Sequence, residues 1–250
     1  MVVKKRFLSI ICIVCVLTVM LTACGSKITN LEGHSLKIYC DNELEDSLYN
    51  VVKSFMSSTD CKVEIIFGSA DQIKKTAMKD EDANILITSS EEETEYMDDI
   101  YDSKFDIAKH RLVIATEEGN PKGIKDISSL VNKDISIHVG NVKSTSVGMA
   151  TEEVLDDKDV LQAISFQESK NIAKINDKEQ KADVTILWKE MVNDNGMEIL
   201  EGEYFKKYSS KITALVLKTS EDKEAVKGFK KYIKTDGAKN IIENFGLETN

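Results

Sequence analysis

Asn84-Ile85-Leu86-Ile87-Thr88 decides the fold. Successive side chains of a strand point to opposite faces, so three apolar residues in a row put hydrocarbon on both faces. Such a strand is buried on both sides, as in a parallel sheet covered by helices. The flanking chain supplies the covers. Upstream, Leu36–Cys40 reads as a strand, Leu44, Leu48, Val51, Val52 and Phe55 recur at helical spacing, Lys62–Phe67 is a strand and Gln72–Met78 a short helix. Downstream, Arg111–Ala115 is a strand, Ile124–Leu130 a short helix, Ile135–Val139 a strand, and a helix runs from about Gly148 to Leu155. Ile164-Ser165-Phe166 and Val184–Trp188 read as strands around a helix, and Lys211–Lys218 as another strand. Val226, Phe229, Tyr232, Ile233, Ile241, Ile242 and Phe245 mark two amphipathic helices broken near Asp236-Gly237. Strands alternating with helices give an α/β fold with mainly parallel sheets.

The N-terminus is of another kind. Lys4, Lys5 and Arg6 precede an apolar run from Phe7 to Leu21, then Leu21-Thr22-Ala23-Cys24. This is the order of a secretory signal, and Leu-Thr-Ala-Cys resembles the bacterial lipobox. The resemblance implies cleavage before Cys24, a diacylglycerol on its thiol, and a protein held on the outer face of the cell membrane. An uncleaved anchor is the alternative, but the run is shorter than the ~20 residues a spanning helix needs. Residues 1–23 are then the signal peptide and 24–34 a polar tether. Removing 1–23 takes away three basic residues and no acidic one, so the net charge moves from −10 to −13. That argues against nucleic-acid binding, which needs a basic face. The remaining length can bury a substantial core.

Cys40 ends one strand and Cys61 precedes the next. On parallel neighbours the two thiols lie at opposite ends of strands about 17 Å long. A disulfide needs Cα atoms within about 7 Å, so two free buried thiols are expected.

The order of the segments resembles the molybdate/tungstate-binding proteins of ABC importers, over about Leu36 to Gly246. The segments that carry the resemblance are the turn Cys40–Leu44, Phe67-Gly68-Ser69-Ala70, Ala83–Thr88, His110–Ala115, the loop Gly140–Gly148 and Ala182–Trp188. It implies a two-lobe type II periplasmic-binding-protein fold, each lobe a mainly parallel sheet flanked by helices. Lobe 1 would take 35–112 and 216–250 and lobe 2 would take 113–215, with crossover strands near Leu112–Ala115 and Thr213–Val216. The family holds a tetrahedral oxyanion by neutral donors: two hydroxyls, backbone N–H groups at helix starts, and a tyrosine hydroxyl. Helix starts suit an anion because their N–H groups are unpaired and carry partial positive charge. Carried onto this chain, the first serine falls on Glu43 and the second on Ala70, with Ser69 beside it. The alanine of the long loop falls on Val147, a valine near Lys170, and the tyrosine on Trp188, which still offers an indole N–H.

Asp41, Asn42, Glu43, Glu45 and Asp46 crowd the first helix start. Asn42 and Glu45 fit a capping box; alternatively the carboxylates line a cleft and select a cation or an amine. In either case Glu43 repels an oxyanion. Lys143-Ser144-Thr145-Ser146 reads as a solvated loop with N-cap chemistry, or as an oxyanion cradle in which Thr145 takes part. Glu91, Glu92, Glu93 and Glu95 read as a solvated helix face; Thr88, Ser89 and Ser90 read most simply as its N-cap, or alternatively as hydroxyls supplied to a cleft. His34, His110 and His138 have no metal-ligand spacing, and no nucleophile–base pair or phosphate loop stands out. The expected function is a lipid-anchored solute-binding protein without catalysis, cofactor or metal. Its partners would be a small ligand, such as molybdate or tungstate, and an ABC permease. The alternative is an adaptor or sensor of the same fold that has lost molybdate.

Overall fold

The computed structural model describes residues 29–94, 97–131, 134–157, 159–169, 182–192, 197–200 and 208–249. The signal peptide, Cys24, Lys170 and the helix expected after residue 169 lie outside them. Among the described residues no helix is long and apolar enough to cross a membrane.

The chain is an α/β protein of two lobes. The first sheet has the order β2 (Lys62–Gly68), β1 (Ser35–Asp41), β3 (Ile85–Thr88), β9 (Ser209–Leu217) and the first part of β4 (Tyr101–Glu117). The second sheet runs from the last part of β4 to β7 (Val184–Trp188), β5 (Ile137–Gly140) and β6 (Gln167–Ser169), with β8 (Met197–Leu200) also on β4. β2-β1-β3 and β7-β5-β6 are the expected parallel sets, while β4 and β9 pair antiparallel and knit the lobes. β4 is 17 residues long and serves both sheets. Arg111 pairs with Ser209 of the first sheet, and Leu112 with Trp188 of the second. The chain returns at Tyr208–Ser209. Residues 209–215, expected in the second lobe, pair in the first sheet because Ile212, Ala214 and Val216 belong to its core.

Among the described residues three buried clusters follow from these layers. On one face of the first sheet lie α1 (Glu45–Thr59), α4 (Lys223–Ile233) and α5 (Asp236–Asn244), joined through Phe55, Phe229 and Tyr232. Phe55 meets Phe229 edge-on at 5.2 Å between centroids, a preferred aromatic geometry. α2 (Ala70–Ala77) covers the other face through Ile73 and Ala77. The second lobe is built around Leu112, Ile114, Val139, Ile186 and Trp188 under α3 (Ser146–Asp157).

Local details differ from the sequence reading. The first helix start is capped by Asp41, which accepts from the Glu43 N–H at 2.8 Å, and not by an Asn42–Glu45 box. Ile164 and Phe166 pack against the core, but strand pairing begins at Gln167. Cys40 and Cys61 are free and buried, as the strand geometry requires.

Candidate functional site

In open α/β sheets the carboxyl ends of parallel strands face a crevice where ligands bind. Here those ends are Asp41 of β1, Thr88 of β3, Gly140 of β5 and Trp188 of β7. β5 turns into α3 with no space to spare. A Cβ on Gly140 would lie 2.6 Å from both Thr145 Oγ1 and Val147 Cγ1, and one on Gly148 only 2.3 Å from the Asn141 carbonyl oxygen. Two glycines therefore let the first turn of α3 sit against the strand end. Thr145 completes that turn: its hydroxyl donates to the Asn141 carbonyl at 3.0 Å and accepts from the Gly148 N–H at 3.0 Å.

The first residue of α3, Ser146, faces the other lobe. Its hydroxyl donates to Glu43 Oε2. The Trp188 indole Nε1 lies 3.0 Å from Ser146 Oγ and 3.3 Å from Glu43 Oε2. A carboxylate of the first lobe thus accepts two side-chain hydrogen bonds from the second, at the start of a helix whose dipole favours an anion. Trp188 is held flat by His110, stacked at 4.7 Å between centroids and 19° between planes. His110 is fully buried, and its Nδ1 bonds Glu190 Oε1. Its Nε2 and Glu190 Oε2 are buried without a hydrogen-bond partner among the described residues.

Behind Glu43 lie two more carboxyl groups. Asp41 is 3 % exposed and Glu93 9 %. Glu93 Oε2 accepts from the Ser89 N–H at 3.2 Å, and the Glu93 N–H donates to Ser90 Oγ at 3.3 Å. Glu93 therefore turns inward, and the expected solvated face is corrected at this residue. Burial raises all three carboxyl pKa values. Glu43 is pushed up to about 7, by burial first and by the Asp41 charge second, against the pull of Ser146, His110 and Trp188. Glu93 stands well above the usual range through burial, then the charges of Asp41 and Glu43. Beside Ser146 a cavity of about 280 Å³ is lined by Met149, Ala150, Glu153 and Tyr208–Ser210.

A family model described as bacterial extracellular solute-binding protein matches residues 36–248, most of the chain. The chain belongs to that family. A search of curated protein sequences returns no match. Solved structures share the fold of this solute-binding protein at low identity. One, assigned as the substrate-binding domain of a molybdenum ABC transporter from Clostridium difficile, is 18 % identical with a TM-score of 0.70, covering 86 % of this chain and 99 % of that one. The periplasmic molybdate-binding protein of Azotobacter vinelandii is 17 % identical with a TM-score of 0.69, over 86 % and 99 %. The sulfate-binding protein SubI of Mycobacterium tuberculosis is 13 % identical with a TM-score of 0.64, over 86 % of each.

In this solute-binding protein the candidate residues are distributed unevenly. Glu43 and Trp188 meet directly. Thr145 and the fully buried Val147 shape the α3 turn beside them. Ser69 is the exposed N-cap residue of α2, with no side-chain capping bond, and Ala70 opens that helix. Lys170 lies outside the described residues. Sequence reasoning offered Asp41 only as one of five polar residues crowding a helix start and Ser146 only as part of a hydroxyl-rich loop, and it did not single out Glu93, His110 or Glu190 as site residues. Ser146 stood in a quoted hydroxyl-rich loop, but nothing local separates it from Ser144 or Thr145. His110 stands only as the residue before an apolar strand.

Proposed function

We propose that this solute-binding protein is the lipid-anchored receptor of an ABC importer, capturing one small solute between its lobes and passing it to a membrane permease. The carrying observation is the meeting of Glu43, Ser146 and Trp188 across the lobes at the start of α3. The Leu21–Cys24 run supports secretion and lipidation at Cys24. A hydroxyl, an indole N–H and a helix start are neutral donors of the kind that hold a tetrahedral oxyanion, which supports molybdate or tungstate as the ligand class. Ser69, Ala70, Thr145, Val147 and Lys170 are the further proposed contacts. No catalytic role, cofactor or nucleic-acid partner is proposed.

The second reading, an adaptor or sensor that no longer takes an oxyanion, is favoured by the Glu43 carboxylate lying on the same donors. A thermal-shift screen of the full chain with molybdate, tungstate and sulfate separates the two. Ligand at 100 times its Kd adds about 2.7 kcal/mol, a rise of several degrees for a protein of this size. A flat response to all three oxyanions would retire the importer reading for that ligand class and leave the adaptor.

A further inference from the structure

The donors at the start of α3 have an occupant. The 3-10 turn Asn42–Leu44 is already capped by Asp41, so the Glu43 side chain is not needed by its own helix. Its neighbours Glu45 and Asp46 are exposed to water, while Glu43 reaches into the second lobe. There it meets Ser146, 2 % exposed, and Trp188, fully buried. Without it the buried Ser146 hydroxyl would lack an acceptor, and the indole N–H would keep only Ser146 Oγ. We propose that the Glu43 carboxyl group is an internal occupant of the solute cleft: seated on Ser146 and Trp188, it ties the two lobes together while no solute is bound, and an incoming solute must displace it. This rests on the reading of the cleft as the solute site.

The groups that face Glu43 decide how the tie responds to pH. Asp41, at the end of β1, and Glu93, after β3, oppose its charge. His110, on β4 behind Trp188 and bonded to Glu190, favours it. Lys74 of α2 acts on Glu93. The neutral acid keeps acceptor lone pairs for the indole N–H and gains a proton to donate. The bonds from Ser146 and Trp188 favour the ionised form, but burial in the closed cleft and the Asp41 charge outweigh them, so closure favours the protonated acid and the tie loosens as pH rises through about 7.

Trp188 is the only tryptophan in the sequence, so selectively excited indole fluorescence reports the surroundings of this one ring. The experiment is acrylamide quenching of the full chain without solute, with circular dichroism as the check on folding. Glu43→Ala and Ser146→Ala should raise the quenching constant severalfold at pH 6, while Glu43→Gln, which keeps an acceptor oxygen, should leave it low. A folded Glu43→Ala protein with wild-type quenching overturns the proposal. Should Glu43→Ala fail to fold, the pH series decides: wild-type quenching should rise between pH 6 and 8 and that of Glu43→Gln should not. A flat wild-type profile overturns the proposal equally. Adding molybdate to Glu43→Ala asks the separate question of solute class. Failure there sinks the oxyanion reading, while the solute-free result stands by itself.

Discussion

The Trp188 indole Nε1 lies 3.3 Å from Glu43 Oε2, across 145 residues of sequence and between the two lobes. Trp188 ends β7 and Glu43 follows β1, so the pair measures how closely the two strand ends approach. Two further layers fix it. His110 stacks behind the indole ring, and Asp41 holds the turn that carries Glu43. A carboxyl group in this position is costly when charged, and that cost gives a measurable sign.

Glu43 has its pKa raised to about 7 in the folded chain from an ordinary 4.5. A raised value means that the folded state binds the proton more tightly than the unfolded chain. Its stabilising contribution is full below about 4.5 and is lost as pH rises through 7. The raised Asp41 and Glu93 act in the same direction. Unfolding by heat should therefore show a lower Tm at pH 8 than at pH 5. Glu43 alone should account for on the order of 2 kcal/mol, after allowance for its partial exposure. Glu43→Gln should flatten part of the slope and raise the Tm at pH 8. A variant profile parallel to wild type would remove Glu43 from this account.

Gly148→Ala tests the turn that presents Ser146. The new methyl would have to sit 2.3 Å from the Asn141 carbonyl oxygen, and backbone cannot move aside as a side-chain tip can. The expected loss is about 3 kcal/mol or more, in the range of severe overpacking, read as a lower urea midpoint. Gly237→Ala is the control, because the nearest atom to its new Cβ is 4.0 Å away.

The buried pair of His110 and Glu190 predicts an asymmetry. Glu190→Ala removes one partner and leaves a fully buried imidazole without its hydrogen bond. Breaking a buried pair from one side costs about 3–5 kcal/mol. Replacing both residues together, as His110→Phe with Glu190→Met, keeps the stacking ring and should cost less than the single change. Denaturant titration of the two variants compares them directly.

Much of this fold was legible in local pattern. Ile85–Ile87 announced a strand buried on both faces, and the sheet places it between β1 and β9. The break expected near Asp236-Gly237 falls just before them, at Thr235, which caps α5 by accepting the Ala238 N–H, and Asp222 caps α4 in the same way through the Ala225 N–H. Half of the site was legible as well, because Glu43 stood out as an acid where a hydroxyl was expected. The rest depends on contacts that no local pattern carries. Ser146 meets a residue 103 positions away. Glu93 sits in a run of acids that reads as solvated, and only tertiary packing turns this one inward. The extent of β4 was hidden because Asp102, Ser103, Lys104 and Asp106 look like loop, yet Ser103, Lys104 and Asp106 pair with β9 and Asp102 lies at a shift in the register.

Cys24→Ser tests the anchor. The Leu21-Thr22-Ala23-Cys24 run predicts that the substituted chain is no longer labelled by radioactive fatty acid and accumulates as the uncut precursor. Labelling equal to wild type would exclude Cys24 as the acceptor.

Oxyanion titration bears on the importer reading most directly. Wild type should bind molybdate, tungstate and sulfate weakly at pH 8, since a charged Glu43 beside Ser146 and Trp188 repels them. Two unit charges about 5 Å apart oppose each other by about 3 kcal/mol at an effective dielectric near 20. Each hydrogen bond missing to a charged ligand costs about 1.5–3 kcal/mol. Glu43→Ser removes the repulsion, frees both donors and restores a hydroxyl at the first helix start. Ala70→Ser adds another at the start of α2. The double variant should gain at least a hundredfold in affinity, the equivalent of about 2.7 kcal/mol, measured by titration calorimetry. The gain should shrink at pH 6, where wild-type Glu43 is largely neutral and repels less. Nanomolar binding by wild type at pH 8 would show that Glu43 is no obstacle. No gain in the double variant would show that the donors at α2 and α3 do not converge on one ligand, and the adaptor reading would then lead.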